Sequence, residues 1–280
     1  MNTVKASVIF STYNSTAWLE KVLWGFFCQT VRDFEIVIAD DGSTEETRSL
    51  IDRMRVESEI PIKHVWQRDD GFQKSRILNK AIAATEGEYV IFTDGDCIPR
   101  NDFVAQHLRF AEKGCYLSGG YFKLPMDVSK AITKDDIVSQ RAFDLGWLKD
   151  AGFKTNHKAL KLIAKGRFAD FLNRISRTRT TWNGHSASCH REHIVAVNGF
   201  NENMQYGGQD CEFGYRLVHL GLEGKRIRYS AICLHLDHSR GYSTLETRLK
   251  NREISAYTKK HKVVRSPLGL DQYLNEDTRS

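Results

Sequence analysis

An α/β fold, a mostly parallel central sheet flanked by helices, is predicted by three features of the sequence. Strand-like and helix-like stretches alternate through the first hundred residues, the pattern that builds parallel sheets with helices on both faces. Two of the strand-like stretches, "FEIVIADDGS" and "YVIFTDGDC", read as buried strands. Three such stretches stop at polar or acidic clusters, Thr12-Tyr13-Asn14, Asp40-Asp41 and Asp94-Gly95-Asp96. In open α/β sheets, ligands bind beyond the carboxyl ends of the strands, so these clusters mark a common ligand edge.

The elements follow in order. "ASVIFSTYN" is a strand ending in a polar turn, and "STAWLEKVLWGFFCQ" a helix with Ser15 or Thr16 as its cap. "FEIVIADDGS" is a second strand with a turn at Gly42. "STEETRSLIDRMRVES" has a hydroxyl cap followed by acids in the first turn, a helix start. "IKHVWQ" is a short strand, and "GFQKSRILNKAIAATEGE" a helix expected to end at Gly87. "YVIFTDGDCIP" is then a buried strand with a sharp turn at Gly95 and a pairing stop at Pro99. Two carboxylates so close together repel unless a cation lies between them, and hard oxygen ligands at a strand end suit a divalent metal.

The second half is less regular. Residues 158–175, "KALKLIAKGRFADFLNRI", space Leu160, Ile163, Ala164, Phe168, Phe171, Leu172 and Ile175 along one helical face, with Lys and Arg opposite. "NGHSASCHREHIVAVNGF" reads as a turn, a strand and a helix stopped by Gly199. "QYGGQDCEFGYRLVHLGL" sets a Gly207-Gly208 loop before a helix opened by Gln209 and Asp210, and "IRYSAICLHLDHSRGY" is a strand leading to His235 and His238.

The totals narrow the class. At 280 residues with 41% hydrophobic and 27% charged residues, the composition is that of a globular chain, with only the polar end beyond Gln272 reading as disorder-prone. No apolar run approaches the roughly 20 residues of a membrane-spanning helix, and the N-terminus enters a strand too soon to read as a signal peptide. Six scattered cysteines, with no C-x-x-C pair, argue against a zinc site or a disulfide framework and suit a reducing cytoplasm. The net charge of +6 is concentrated: residues 141–182 hold ten Lys or Arg against three Asp and no Glu. That segment is either an ordinary packed helix with solvated lysines or a docking surface for an anionic membrane, the reading its flanked apolar face favours. Nucleic acid is not expected, because no recognised binding motif accompanies the charge. No glycine-rich phosphate loop follows any strand, so a bound nucleotide's phosphates would depend on metal.

"SVIFSTYN", "FEIVIADDGS", "GFQKSRILNKAI" and "YVIFTDGDCIP", in that order and spacing, resemble family 2 glycosyltransferases with the GT-A (nucleotide-diphospho-sugar transferase) fold. "VNGFNENMQYGGQDCEFGYRL" and "CLHLDHSR" are similar to a galactosyltransferase-type C-terminal segment found in bacterial polysaccharide and lipopolysaccharide transferases and chondroitin-polymerase-like enzymes. The resemblance spans roughly residues 5–240 and implies metal-dependent, inverting transfer of a hexose or N-acetylhexosamine. The donor would be a UDP-sugar and the acceptor a glycan, expected on a lipid at the cytoplasmic membrane face. Residues 1–120 would bind the nucleotide-sugar, 121–182 form a basic helical insertion, 183–245 the acceptor half, and 246–280 a C-terminal helix and tail.

It also implies roles. Thr12, Tyr13, Asn14, Asp40, Asp41, Arg76, Asn79, Asp94 and Gly95 would surround the nucleotide. Asp96, with His238 first and His235 second, would hold Mn²⁺ or Mg²⁺, an imidazole ligand tilting the preference to Mn²⁺. Asp210 would be the general base. Trp182, Asn183, Tyr206, Gly207, Gly208 and Gln209 would contact the sugars. Tyr206 and Gln209 depart from the family's Trp and Glu, which leaves donor and acceptor preference open.

Other classes give alternatives. A haloacid-dehalogenase-type phosphatase also carries D-x-D after a strand, but as its first strand and with a Thr or Val that Cys97-Ile98 does not supply. A nucleotidyltransferase needs a glycine-rich basic loop that "IFSTYNST" lacks. A non-catalytic glycan-binding protein remains if Asp210 is idle. The individual histidines, and Arg76 with Asn79, could equally serve ordinary structural hydrogen bonds.

Overall fold

The computed structural model describes residues 5–154, 157–238 and 244–274. Ten strands are β1 (Ala6–Thr12), β2 (Phe34–Asp40), β3 (Ile62–Trp66), β4 (Tyr89–Asp94), β5 (Cys97–Pro99), β6 (Cys115–Ser118), β7 (Gly120–Lys123), β8 (Ala187–His190), β9 (Glu223–Arg226) and β10 (Ile232–His235). Seven form the main sheet in the order β3-β2-β1-β4-β8-β6-β9, and β5-β10-β7 form a small second sheet. The expected α/β architecture is present. β1 to β4 are mutually parallel, whereas β8 runs antiparallel to both β4 and β6 and makes the sheet mixed.

The helices of the first half are α1 (Thr16–Phe27), α2 (Glu45–Glu57), α3 (Lys74–Ala83) and α4 (Phe103–Phe110). The caps at Ser15 and Thr44 form no side-chain hydrogen bond, so α1 and α2 are held by the faces they bury, Leu19, Val22, Leu23 and Phe26 in α1 and Leu50, Ile51 and Met54 in α2. α3 ends at Ala83, four residues short of Gly87. Gly87 is there for space: a Cβ would lie 2.6 Å from the Ala6 carbonyl carbon, where the loop crosses β1.

The middle holds α5 (Met126–Ala131), α6 (Lys134–Val138), α7 (Leu145–Asp150), α8 (Leu160–Ile163) and α9 (Gly166–Ile175). The single amphipathic helix expected over 158–175 is broken. α8 stops before Ala164, and Gly166 restarts the chain at φ +51. The packing is also not the expected one. α9 buries Ala169 and Asn173, while Phe168, Phe171 and Ile175 stay about half exposed together with Ile163.

The last third contains α10 (Arg191–Ala196), α11 (Gln209–His219) and α12 (Leu245–Lys260). Two apolar clusters sandwich the main sheet. On one side α1 and α2 cover Val8, Phe10, Ile36 and Ile38. On the other, α3 and α11 cover Ile9, Val37, Val90 and Phe92. This two-sided burial explains the long apolar runs of β1, β2 and β4. Among the described residues, no helix is long and apolar enough to cross a membrane. Residues 239 and 240 of the "CLHLDHSR" stretch, and 275–280 of the tail, lie outside the described residues.

Candidate active site

The register of the parallel strands builds the ligand edge. Ser11 pairs with Asp94 and Thr12 with Asp40, so the three polar strand ends emerge side by side. Gly95 keeps the turn after β4 against β1: its N–H donates to the Ser11 carbonyl at 3.2 Å, and a Cβ would lie 2.5 Å from that oxygen.

On the β1–β2 side, the Thr12 hydroxyl is buried with no hydrogen-bond partner, an orphan that a ligand could satisfy. Asp41 accepts from Gln67 Nε2 at 2.7 Å and from the Gln73 N–H at 2.9 Å, and burial pushes its carboxyl up to about 6. The Tyr13 ring is half exposed, its hydroxyl donating to Asp69. Asp40 and Asn14 hold the wall of the edge. Asp40 accepts from the Ser43 N–H and meets His64 Nε2 at 2.8 Å, and Asn14 accepts from the Thr44 N–H.

At the β4 end the two carboxylates are differentiated. Asp94 accepts from Lys74 Nζ at 2.7 Å. Burial alone would raise its pKa, but Lys74 prevails and holds the group below the usual carboxylate range. Lys74, the first residue of α3, is pulled down by burial and up more strongly by Asp94, Asp210 and Asp96, which keep it protonated. Asp96 faces the other way: its Oδ2 lies 3.0 Å from His238 Nε2 and 3.9 Å from His235 Nε2. Burial and then Asp94 push the Asp96 carboxyl up, against the pull of the two histidines. The buried Cys97 thiol also points at Asp96, at 3.6 Å. Ligand atoms of Asp96, Cys97 and His235 fall within 4.8 Å of one another. One carboxylate flanked by two imidazoles is a donor set that fits a divalent cation, with the imidazoles favouring Mn²⁺ over Mg²⁺.

Asp210 is coupled to Lys74 and Asp94. Gly207 and Gly208 precede it at φ +106 and +86, conformations that glycine adopts without strain, and the turn places Asp210 in the first turn of α11. Its carboxylate packs on Gly184, where an added Cβ would lie 3.0 Å from Oδ2. Burial raises it to about 6, with Lys74 pulling down and Asp94 pushing up. A carboxylate of that pKa is suited to taking a proton near neutral pH.

Several expected contacts lie elsewhere. Trp182 is 1% exposed and packs among Phe92, Tyr116 and Phe213, so its place is the core and not a sugar site. Asn183 donates to Ser118 Oγ and accepts from the Ser186 N–H, which shapes the turn into β8. Asn79 is fully buried, bridging α3 to the Phe200 backbone and Glu202. Arg76 lies 3.7 Å from Glu202 and 4.0 Å from Asp70. Gln209 accepts from the Gly207 N–H, closing the loop before the base, and Tyr206 meets the Phe72 ring edge-on.

Three residues beside the site had no role assigned from the sequence. Lys74 sits inside a quoted motif, yet nothing local marks it among 41 Lys and Arg. His185, pushed down to about 3 by burial against the pull of Asp94 and so neutral, meets the Tyr121 ring at 4.3 Å. Asn251 of α12 donates from Nδ2 to the carbonyls of Gln205, Tyr206 and Gly207, tying the loop that carries Asp210.

Polar and acidic strand ends, a carboxylate beside two imidazoles and a buried carboxylate on α11 thus gather on a GT-A fold, that of the glycosyltransferases. The chain belongs to glycosyl transferase family 2, whose model matches residues 7–164, and residues 167–239 match the N-terminal domain of galactosyltransferase. Chondroitin synthase of Escherichia coli is 27% identical over 232 residues, covering 77% of this chain and 32% of its own length. The chain spans between 28% and 65% of the length of the first three curated relatives. Among solved structures, Staphylococcus aureus TarS 1–349 in complex with UDP-GlcNAc superposes with a TM-score of 0.64 at 16% identity, covering 97% of this chain and 71% of that one. A Pyrobaculum calidifontis mannosyltransferase in complex with GDP-Man and Mn²⁺ gives 0.59 at 19% identity, covering 98% and 68%.

Proposed function

We propose that the chain transfers a hexose or N-acetylhexosamine from a UDP-sugar to a glycan acceptor, with inversion at the anomeric carbon. The acceptor is a lipid-linked polysaccharide or lipopolysaccharide chain at the cytoplasmic face of the membrane. The observation that carries this reading is the different setting of three neighbouring acids. Asp96 faces two histidines, Asp94 is neutralised by Lys74, and Asp210, raised to about 6, is coupled to the same Lys74 and to Asp94. UDP-GlcNAc in the TarS complex and the synthase activity named for the E. coli relative favour a UDP donor and a glycan product.

Asp96, His238 and His235 would hold a divalent cation, which would supply positive charge against the diphosphate as it leaves. The rest belongs to the chain's own side chains. Thr12, Tyr13 and Asp41 hold the nucleoside at the β1–β2 end. Asp210 accepts the proton of the acceptor hydroxyl while the new O–C1 bond forms and the C1–O bond to UDP breaks, UDP leaving with the electron pair. A single displacement on the face opposite UDP inverts the centre. Lys74 keeps Asp94 charged without repelling the diphosphate.

The test is UDP release from UDP-galactose, UDP-glucose and both UDP-N-acetylhexosamines with Mn²⁺, Mg²⁺ or EDTA, beside Asp96→Ala. Metal-dependent release from one donor, lost in the variant, supports the reading; no release and no UDP binding from any donor overturns it.

A further inference from the structure

A second concavity lies beyond the small sheet, on the side of β10 away from β5. It has a volume of about 470 Å³ and is lined by Lys123 and Tyr121 of β7, Lys158, Lys161 of α8, Arg228 from the β9–β10 connection, and Asp237. Four cations face one carboxylate there. Asp237 is engaged by Lys123 at 3.2 Å. Lys161 donates to the Tyr121 carbonyl at 3.2 Å and lies 5.5 Å from that ring's centre. Arg228 donates from one terminal nitrogen to the Arg179 carbonyl, while its Nε is buried with no partner. Burial depresses both Lys161 and Arg228, and neighbouring cations add to it. Like charges held together in a recess mark a place where an anion is stabilising.

The recess is joined to the candidate base by a short run of contacts. Asp210 packs on Gly184, and His185 follows. The His185 ring meets Tyr121 at 4.3 Å, and Tyr121 is the wall of the recess. The recess therefore neighbours Asp210 through Gly184, His185 and Tyr121.

We propose that this recess is an acceptor subsite for an anionic group, a sugar carboxylate or a phosphate ester, held by Lys161 and Arg228 with Lys123 at its rim. The inference rests on the transferase reading only for the word acceptor; the anion site itself is tested apart from turnover. The full chain is titrated by calorimetry and ligand-observed NMR with methyl glucuronide, glycerol 3-phosphate and the neutral methyl glucoside, and separately with UDP and Mn²⁺. At least one anion is expected to bind saturably and about tenfold more tightly than the glucoside, as loss of one charge-assisted hydrogen bond would give. Arg228→Gln and Lys161→Met should each weaken it about tenfold with UDP binding unchanged. Lys123→Gln, at a half-exposed rim position, gives a smaller loss and guards against misfolding of the other two. Preference for the glucuronide assigns an acidic sugar, and preference for the phosphate assigns a phosphorylated or lipid-phosphate acceptor. Binding no tighter than the glucoside, or unchanged in all three variants, overturns the proposal. Failure of the UDP arm alone counts against the transferase reading and leaves the anion result standing.

Discussion

Lys74 Nζ sits 2.7 Å from Asp94 Oδ1, and the same ammonium is drawn towards Asp210 and Asp96. One cation on the first turn of α3 thus balances acids from β4, the turn after it and α11. The pair is only about one-fifth exposed, so water screens it weakly.

Replacing Lys74 with Met should therefore strand Asp94. Removing one partner of a buried pair costs about 3–5 kcal/mol; partial exposure here reduces the expectation to about 1–3 kcal/mol. Urea denaturation of Lys74→Met, and of Lys74→Met with Asp94→Asn, measures it. The double variant should recover part of the loss, and additive losses would show that the two groups are not coupled.

Asp210 gives a pH dependence of known sign. Its carboxyl must be ionised to accept a proton, so kcat should fall as pH drops through about 6. Asp41, also near 6, lies at the β1–β2 end, and Asp41→Asn should leave that limb of kcat in place. For stability, the folded-state pKa lies above the unfolded value of 3.8, so the folded form holds a proton that the unfolded form releases. Stability from this group is full below about 4 and is lost as pH rises to about 6. Asp210→Asn should thus be more stable than the parent by about 1–3 kcal/mol at pH 7.5, with little difference at pH 4, and lower kcat by about 10²–10⁴.

His238 lies nearer to Asp96 than His235 does, 3.0 Å against 3.9 Å. His238→Ala should weaken metal-dependent turnover by more than His235→Ala. His238→Asp, which exchanges nitrogen for a hard oxygen, should raise the Mg²⁺-to-Mn²⁺ activity ratio. Equal effects of the two alanine variants would remove the distinction.

Asn251 serves three carbonyls of the 205–207 loop with one amide group, the shortest contact being 2.7 Å to Gly207. Asn251→Leu should cost about 1–3 kcal/mol by leaving those carbonyls unsatisfied. Because the loop carries Asp210, kcat should fall while UDP affinity holds. A loss of UDP affinity of the same size would point to general unfolding.

Phe168, Phe171 and Ile175 form an exposed apolar strip on α9, with Lys165, Arg167 and Arg174 beside it. If this is a membrane face, the full chain should sediment with phosphatidylglycerol-containing vesicles and less with phosphatidylcholine ones. Each of Phe168→Ser and Phe171→Ser should lower that partition by about tenfold, consistent with about 1.5–3 kcal/mol per buried aromatic ring. Equal sedimentation with both lipids, or no change in the variants, would leave α9 without this role.

The sequence by itself determined the alternating elements, because strand and helix periodicities and turn residues act over a few positions. It also set the acids at the strand ends, since Gly42 and Gly95 end those strands where the carboxylates lie. It could not assign what each acid faces. Asp40 turned inward to Ser43 and His64, and Trp182, quoted beside a functional turn, filled the space between Phe92 and Phe213. The helix of 158–175 was over-read for the same reason: helical spacing survives a break at Gly166, and the pattern alone does not say which face finds a partner. Only the tertiary structure decided that Lys74 meets Asp94 and is coupled to Asp210, and that Asn251 holds the loop before Asp210. Those partners are 20 or more residues apart, and no local pattern specifies contacts made when separate elements pack.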